Sequence, residues 1–222
     1  MNKNKILTAA CFVSLIASSS LPAFQLPQLP GQAASTPAAA APATGGDQLV
    51  AAYTGADQEV LAAQSKFADA LGLKDKAAEF AATAAALGSG STSANDLSKV
   101  ESKSTAAEAD IAQAMKSNVT LSDTAKQTYI DGLKHLAVGT TKTVALKDNA
   151  MAFGNAAQAQ IAAASIVDKL SVTNKLAPGM YVAQHLPGHL VSLGTTLKSA
   201  VDFAKSHDIP VPADATSALS AL

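Results

Sequence analysis

From residue 47 onward apolar side chains return every three or four positions, and no stretch of any length alternates apolar and polar. Tyr53, Ala56, Val60, Ala63, Phe67 and Ala70 make the first stripe, the spacing of one helix face. Thr54-Gly55-Ala56-Asp57 has a capping-box pattern, so a helix is expected to start or restart there. After Gly72, a second face carries Ala77, Phe80, Ala81, Ala84 and Leu87, and Gly88 to Thr92 should be a flexible turn. Ser93-Ala94-Asn95-Asp96 opens a third helix with Leu97, Val100, Ser104, Ala107 and Ile111 inward, ending at Ser117-Asn118. Thr120-Leu121-Ser122-Asp123 caps a fourth, with Tyr129, Leu133, Leu136, Thr140, Val144 and Met151 inward. A fifth is expected from about Asn155 to Leu170, with Ile161, Ala164 and Val167 inward. Pro187 suits the first turn of a sixth, from Gly188 to about Ser206, with Leu190, Leu193, Leu197, Val201 and Ala204 inward.

The pattern predicts an all-α, antiparallel bundle of about five or six Ala-rich helices over residues 47–207. Residues 208–222 follow as an extended arm, Ile209-Pro210-Val211-Pro212, and a short tail. One internal echo stands out. Leu73-Lys74-Asp75-Lys76-Ala77-Ala78-Glu79-Phe80 resembles Leu146-Lys147-Asp148-Asn149-Ala150-Met151-Ala152-Phe153, and at the same offset Leu97-Ser98 matches Leu170-Ser171. A duplicated helical hairpin would produce it, and so would alanine-rich bias.

Residues 1–23 have a different character. Lys3 and Lys5 precede the twelve-residue apolar run Ile6–Ala17, and small residues follow to Ala23. That order is a secretory signal peptide, too short to span a membrane. Thr8-Ala9-Ala10-Cys11 imitates a lipidation box but lies inside the apolar run. Residues 24–46 hold Pro27, Pro30, Pro37 and Pro42 and no periodic apolar face, so a disordered Pro/Ala-rich linker is expected. Cleavage would remove Cys11, the one cysteine, and leave no disulfide or cysteine-bound zinc. The chain would then be periplasmic or secreted, with no transmembrane span.

Composition narrows function by exclusion. Of 222 residues 50 are alanine; there are 16 lysines and no arginine, and the net charge is −1. Near-neutrality and the missing arginine argue against a nucleic-acid partner. No Gly-x-Ser-x-Gly elbow, phosphate loop or dinucleotide fingerprint occurs. There is no Glu-x-x-His, and Glu108 is the last glutamate, which closes the di-iron reading. Asp57, Glu59, Asp69, Glu101 and Glu108 fall mostly on outward positions, as a solvated face would.

The histidines are His135, His185, His189 and His207. His185 and His189 have the i, i+4 spacing of paired ligands, but Pro187 between them opposes an intact helix. Convergence of His135, His185 and His189 on a metal or haem is conceivable; ordinary cap or surface histidines are the simpler expectation. Met180, Tyr181, Val182 and Leu186 flank the pairs Pro178-Gly179 and Pro187-Gly188, and could form a hinged cover over a groove or simply close the core. No catalytic, metal or cofactor-binding residue is assigned and no cofactor is expected. The sequence favours a non-enzymatic exported protein acting through another envelope or secreted protein. A periplasmic carrier of a small apolar or amphiphilic ligand held between helices is the alternative.

Overall fold

The computed structural model describes residues 45–88, 93–117 and 119–222. The leader, almost all of the linker and most of the Gly/Ser turn after Gly88 lie outside these residues. Among the described residues the chain is all-helical, with seven helices and no strand. They are α1 (Gly46–Ala70), α2 (Lys74–Leu87), α3 (Ala94–Lys116), α4 (Asp123–Ala145), α5 (Lys147–Ala163), α6 (Lys169–Ser206) and α7 (Ala213–Ser220). None is long and apolar enough to cross a membrane.

Specific contacts fix the directions. α2 folds back antiparallel on α1 through a turn at Gly72, whose φ of 84° suits glycine. Gln58 and Ser65 of α1 donate to the carbonyls of Ala84 and Ala77. α4 also runs antiparallel to α1: Phe67 meets Gly132 and Val60 meets Gly139. α5 continues beyond α4 after a break at Leu146 and packs on α6. α6 runs alongside α1 and α3 in their own direction, joining Gly179 to Gly46 and Ser192 to Glu108.

α1 and α6 pass through two apolar clusters. One gathers Phe67, Phe80, Ile111, Tyr129, Leu133 and Phe203 with their neighbours from α1, α2, α3, α4, α6 and α7. The other gathers Leu49, Tyr53, Leu97, Phe153, Leu176 and Leu186 from α1, α3, α5 and α6. Every residue of the first stripe, Tyr53 to Ala70, is buried. Ser93 builds the expected capping box with Asp96, and the Ser122 hydroxyl accepts from the backbone N–H of Ala125.

Glycine sets how closely α1 and α4 approach. A Cβ at Gly139 would lie 2.9 Å from Val60 Cγ2 and 3.2 Å from the Ala56 carbonyl oxygen. A backbone atom cannot rotate away, so Gly139→Ala is expected to cost about 1–2 kcal/mol despite alanine's better helix propensity. Chemical denaturation measures this; an unchanged or raised midpoint would contradict it.

Four expectations need correction. α1 is continuous from Gly46, with no restart at Asp57; the Thr54 hydroxyl donates to the Ala51 carbonyl within the helix. The fifth helix ends at Ala163, and Val167 is 89 % exposed rather than inward. The overlooked signal is Ser165-Ile166-Val167-Asp168, where the Asp168 N–H donates to the Ser165 hydroxyl and that hydroxyl donates to the Asp168 carboxylate. Met151 is exposed, because the break at Leu146 shifts its helical phase away from the α4 face. α6 begins at Lys169 and takes both Pro178 and Pro187 into one 38-residue helix. Each proline removes one backbone hydrogen bond, at a cost of about 3 kcal/mol. Burial of Leu176, Val182 and Leu186 opposes that cost at roughly 1.5–3 kcal/mol per side chain. Val182 and Leu186 close the core, Met180 and Tyr181 are part-buried, and the segment is continuous helix where a hinged cover had been one expectation.

The internal echo is partly structural. Leu73 and Leu146 each precede a helix, and Phe80 and Phe153 are both buried. The likeness stops there: α2 packs back on α1, whereas α5 leaves α4 for α6. Leu97 is buried and its counterpart Leu170 is 72 % exposed.

Candidate functional site

Because α6 is unbroken, Tyr181, His185, His189 and Ser192 fall on one face at helical spacing. Glu101 and Glu108 stand two turns apart on α3, and Asp57 stands one turn after Tyr53 on α1. Together they form a polar seam where α1, α3 and α6 meet, beside both apolar clusters.

Asp57 and His189 are its buried members. The carboxylate Oδ1 lies 3.2 Å from imidazole Nε2, with side chains 8 % and 10 % exposed. Neither atom has a hydrogen-bond partner, so their attraction is chiefly electrostatic. Burial pushes the Asp57 carboxyl above its ordinary value despite the opposing pull of His189. Burial alone would push His189 down, but the carboxylates of Asp57, Glu108 and Glu101 outweigh it and hold the imidazole above its ordinary value. The Tyr53 ring leans on His189 at 5.5 Å. Burial first, then the neighbouring Asp57, drives its phenol pKa upward.

The sign of the pH dependence follows. A raised histidine pKa contributes stability that is complete below the unfolded value near 6.5 and is lost as pH rises through the higher folded value. The melting temperature is therefore expected to fall as pH is raised from about 6 into the alkaline range. His189→Gln should flatten this dependence; an equal slope in the variant would count against His189 as its source.

The second unit of the seam is more open. His185 Nδ1 lies 3.2 Å from Glu101 Oε2, and the Tyr181 hydroxyl donates to the same carboxylate. The Tyr181 and His185 rings stack at 4.1 Å. Burial, reinforced by Glu101, pushes the Tyr181 phenol up to about 12. Farther along, the Ser192 hydroxyl donates to Glu108 at 3.0 Å. Burial raises Glu108 more than Ser192 and His189 lower it.

The histidines do not converge. His135 pairs with Glu59 on the α1–α4 face, where Lys142 joins the same carboxylate, each at 2.8 Å. His185 has Glu101, His189 has Asp57, and His207 stacks on Phe203. Among the described residues no group of three or more His, Cys, Asp or Glu side chains could hold a metal ion.

The assignment of Asp57 to a solvated face is overturned, since Asp57 is 6 % exposed, and Glu101 and Glu108 are part-buried. α1 is enclosed by α2, α3, α4 and α6, so one stripe does not exhaust its buried surface. Val50, Thr54, Asp57, Leu61, Gln64, Ala68 and Leu71 form a second stripe, with polar residues embedded in an apolar row. That row was the available signal.

Two surface features stand out beside the seam and at the far turn of α6. A cleft of about 380 Å³ lies between α3 and α6 beside Glu108, floored by Phe67, Ile111, Met115 and Leu136. At the α5–α6 turn, Ile166, Val167 and Leu170 are 96 %, 89 % and 72 % exposed. Compared with protein-family models, curated proteins and solved structures, the chain matches none.

Proposed function

We propose that this is an exported, non-enzymatic binding protein that docks on another protein of the cell envelope through its α5–α6 turn. The exposure of Ile166, Val167 and Leu170 carries the proposal. A folded protein normally scatters its exposed aliphatic residues, and a local concentration marks an interaction site. The reciprocal Ser165–Asp168 bonds hold the turn in shape, which reduces the ordering cost of docking. Asp168, Lys169 and Lys175 give its surroundings little net positive charge to hold anionic lipid, which favours an apolar pocket on a protein. The signal-like residues 1–23 support export, and with it an encounter in the periplasm or outside the cell.

A photo-crosslinking residue at position 166, compared with one at exposed Lys134 on α4, tests this in the native envelope. The expected result is one defined protein adduct at 166 and none at 134. With the captured protein purified, Ile166→Ser/Val167→Ser/Leu170→Ser should weaken binding about a hundredfold, from roughly 1 kcal/mol per lost side chain. Its melting temperature should stay close to that of the parent, since exposed positions contribute little to stability. Lipid adducts only, or undiminished binding by the triple variant, would defeat the proposal.

A further inference from the structure

The α3–α6 cleft is lined by five hydroxyls, one carboxylate and one amide, and by no lysine. Three lining hydroxyls already have a use for their protons: Thr105 donates to the Glu101 carbonyl, Thr195 to the Val191 carbonyl and Ser192 to the Glu108 carboxylate. Each then faces the cleft with lone pairs to offer. Gln64 lines the floor, is 1 % exposed, and spends its amide N–H groups on the Ser104 hydroxyl and carbonyl. Its carbonyl Oε1 is buried with no donor. Exchanging the amide atoms would leave the Ser104 carbonyl without that donor, so the orientation is set by its surroundings. Glu108 lines the same cleft, and no lysine does. Among the described residues it forms no ion pair with lysine, and the chain has no arginine.

Such a site is rich in acceptors and poor in donors. A carboxylate or phosphate ligand would meet the like charge of Glu108, with only the hydroxyls of Thr196 and Ser199 left to donate and no N–H group. A calcium or magnesium ion would find one carboxylate where several oxygen ligands are needed. An ammonium group brings three donors and a positive charge, the complement of Glu108 and of a donor-poor floor. Beyond it lie Phe67, Ile111, Met115 and Leu136, suited to a hydrocarbon body. A volume of about 380 Å³ lies within the usual small-ligand range. We infer that the α3–α6 cleft binds a small amphiphile with a primary ammonium head, held at Glu108, and a short apolar body laid over Phe67, Ile111 and Met115. This inference is independent of docking at the α5–α6 turn, which lies on other residues.

The test uses the full chain and three probes of one length: n-hexylammonium, n-hexanol and hexanoate, titrated by calorimetry and amide NMR near neutral pH. Hexylammonium should bind at least about tenfold more tightly than hexanol, the margin of a charge-assisted hydrogen bond, and hexanoate should not bind. Glu108→Gln keeps the side-chain shape and removes the charge, so the two remaining probes should come within about threefold of each other. Ala112→Trp, at an exposed position on the cleft wall, should block both. NMR shifts should cluster on α3 and α6 residues of the cleft. Equal binding of amine and alcohol, an amine preference that survives Glu108→Gln, shifts elsewhere on the molecule, or no binding by the folded parent would each overturn the inference.

Discussion

His189→Leu is expected to lower the free energy of unfolding by about 3–5 kcal/mol, the range for breaking a buried ion pair from one side. The variant leaves the Asp57 carboxylate, on a residue 6 % exposed in the parent, beside Tyr53 with no counter-ion and with the negative charge of Glu101 nearby. It must either stay charged in an apolar setting or take up a proton at neutral pH, and both cost free energy. Asp57→Leu should cost less than His189→Leu, because an imidazole deprived of its partner becomes neutral within the accessible pH range. The double variant Asp57→Leu/His189→Leu should recover much of the loss, since apolar groups of similar volume need no charge compensation. Urea unfolding of all four proteins gives the cycle. Additive losses in the double variant would mean that the two side chains stabilise the fold independently.

Phe153→Ala is expected to cost about 3 kcal/mol, near the lower end for a buried phenylalanine. The ring is 5 % exposed, and a Cβ at Gly46 would lie 2.9 Å from it and one at Gly179 2.5 Å. These close approaches let α5, the start of α1 and the Pro178-Gly179 turn of α6 meet on one side chain. The neighbouring groove around Leu49 and Leu146 gives the site room to collapse, which keeps the cost at the low end. Gly179→Ala attacks the same junction from the opposite side, because the added methyl must displace the ring. Hydrogen exchange should show faster opening in α5 and in the first half of α6, with less change in α4 and α7, which belong to the other cluster. Equal acceleration everywhere would argue against two separable clusters.

What was legible in the sequence were the faces of isolated helices. The Tyr53-to-Ala70 stripe, the Ser93 and Ser122 caps and the inward residues of α3 follow from spacing alone. Helix ends fared worse where proline and serine gave competing signals. Pro187 looked like a first turn because the local rule sees a lost hydrogen bond and not the burial of Leu186 beside it. Ser165 to Asp168 is a turn held by its own side chains in the middle of an apolar run, and the run conceals it. The seam was the least legible part. Asp57, Glu101 and Glu108 look like surface residues on their own helices, and only the crossing of α1, α3 and α6 makes them inward. Pairing across helices has no signature in linear spacing, although two polar residues seven apart in the Val50-to-Leu71 row did mark the crossing.

NMR titration of the His189 imidazole, in the parent chain and in Asp57→Asn, addresses the buried pair without requiring either protein to unfold. In the parent the imidazole should titrate above the ordinary histidine value of about 6.5, and in Asp57→Asn, where burial loses its main opponent, it should drop substantially. A midpoint at or below the ordinary value in the parent, or the same midpoint in both proteins, would show that Asp57 and His189 do not form the electrostatic contact on which this description of the seam rests.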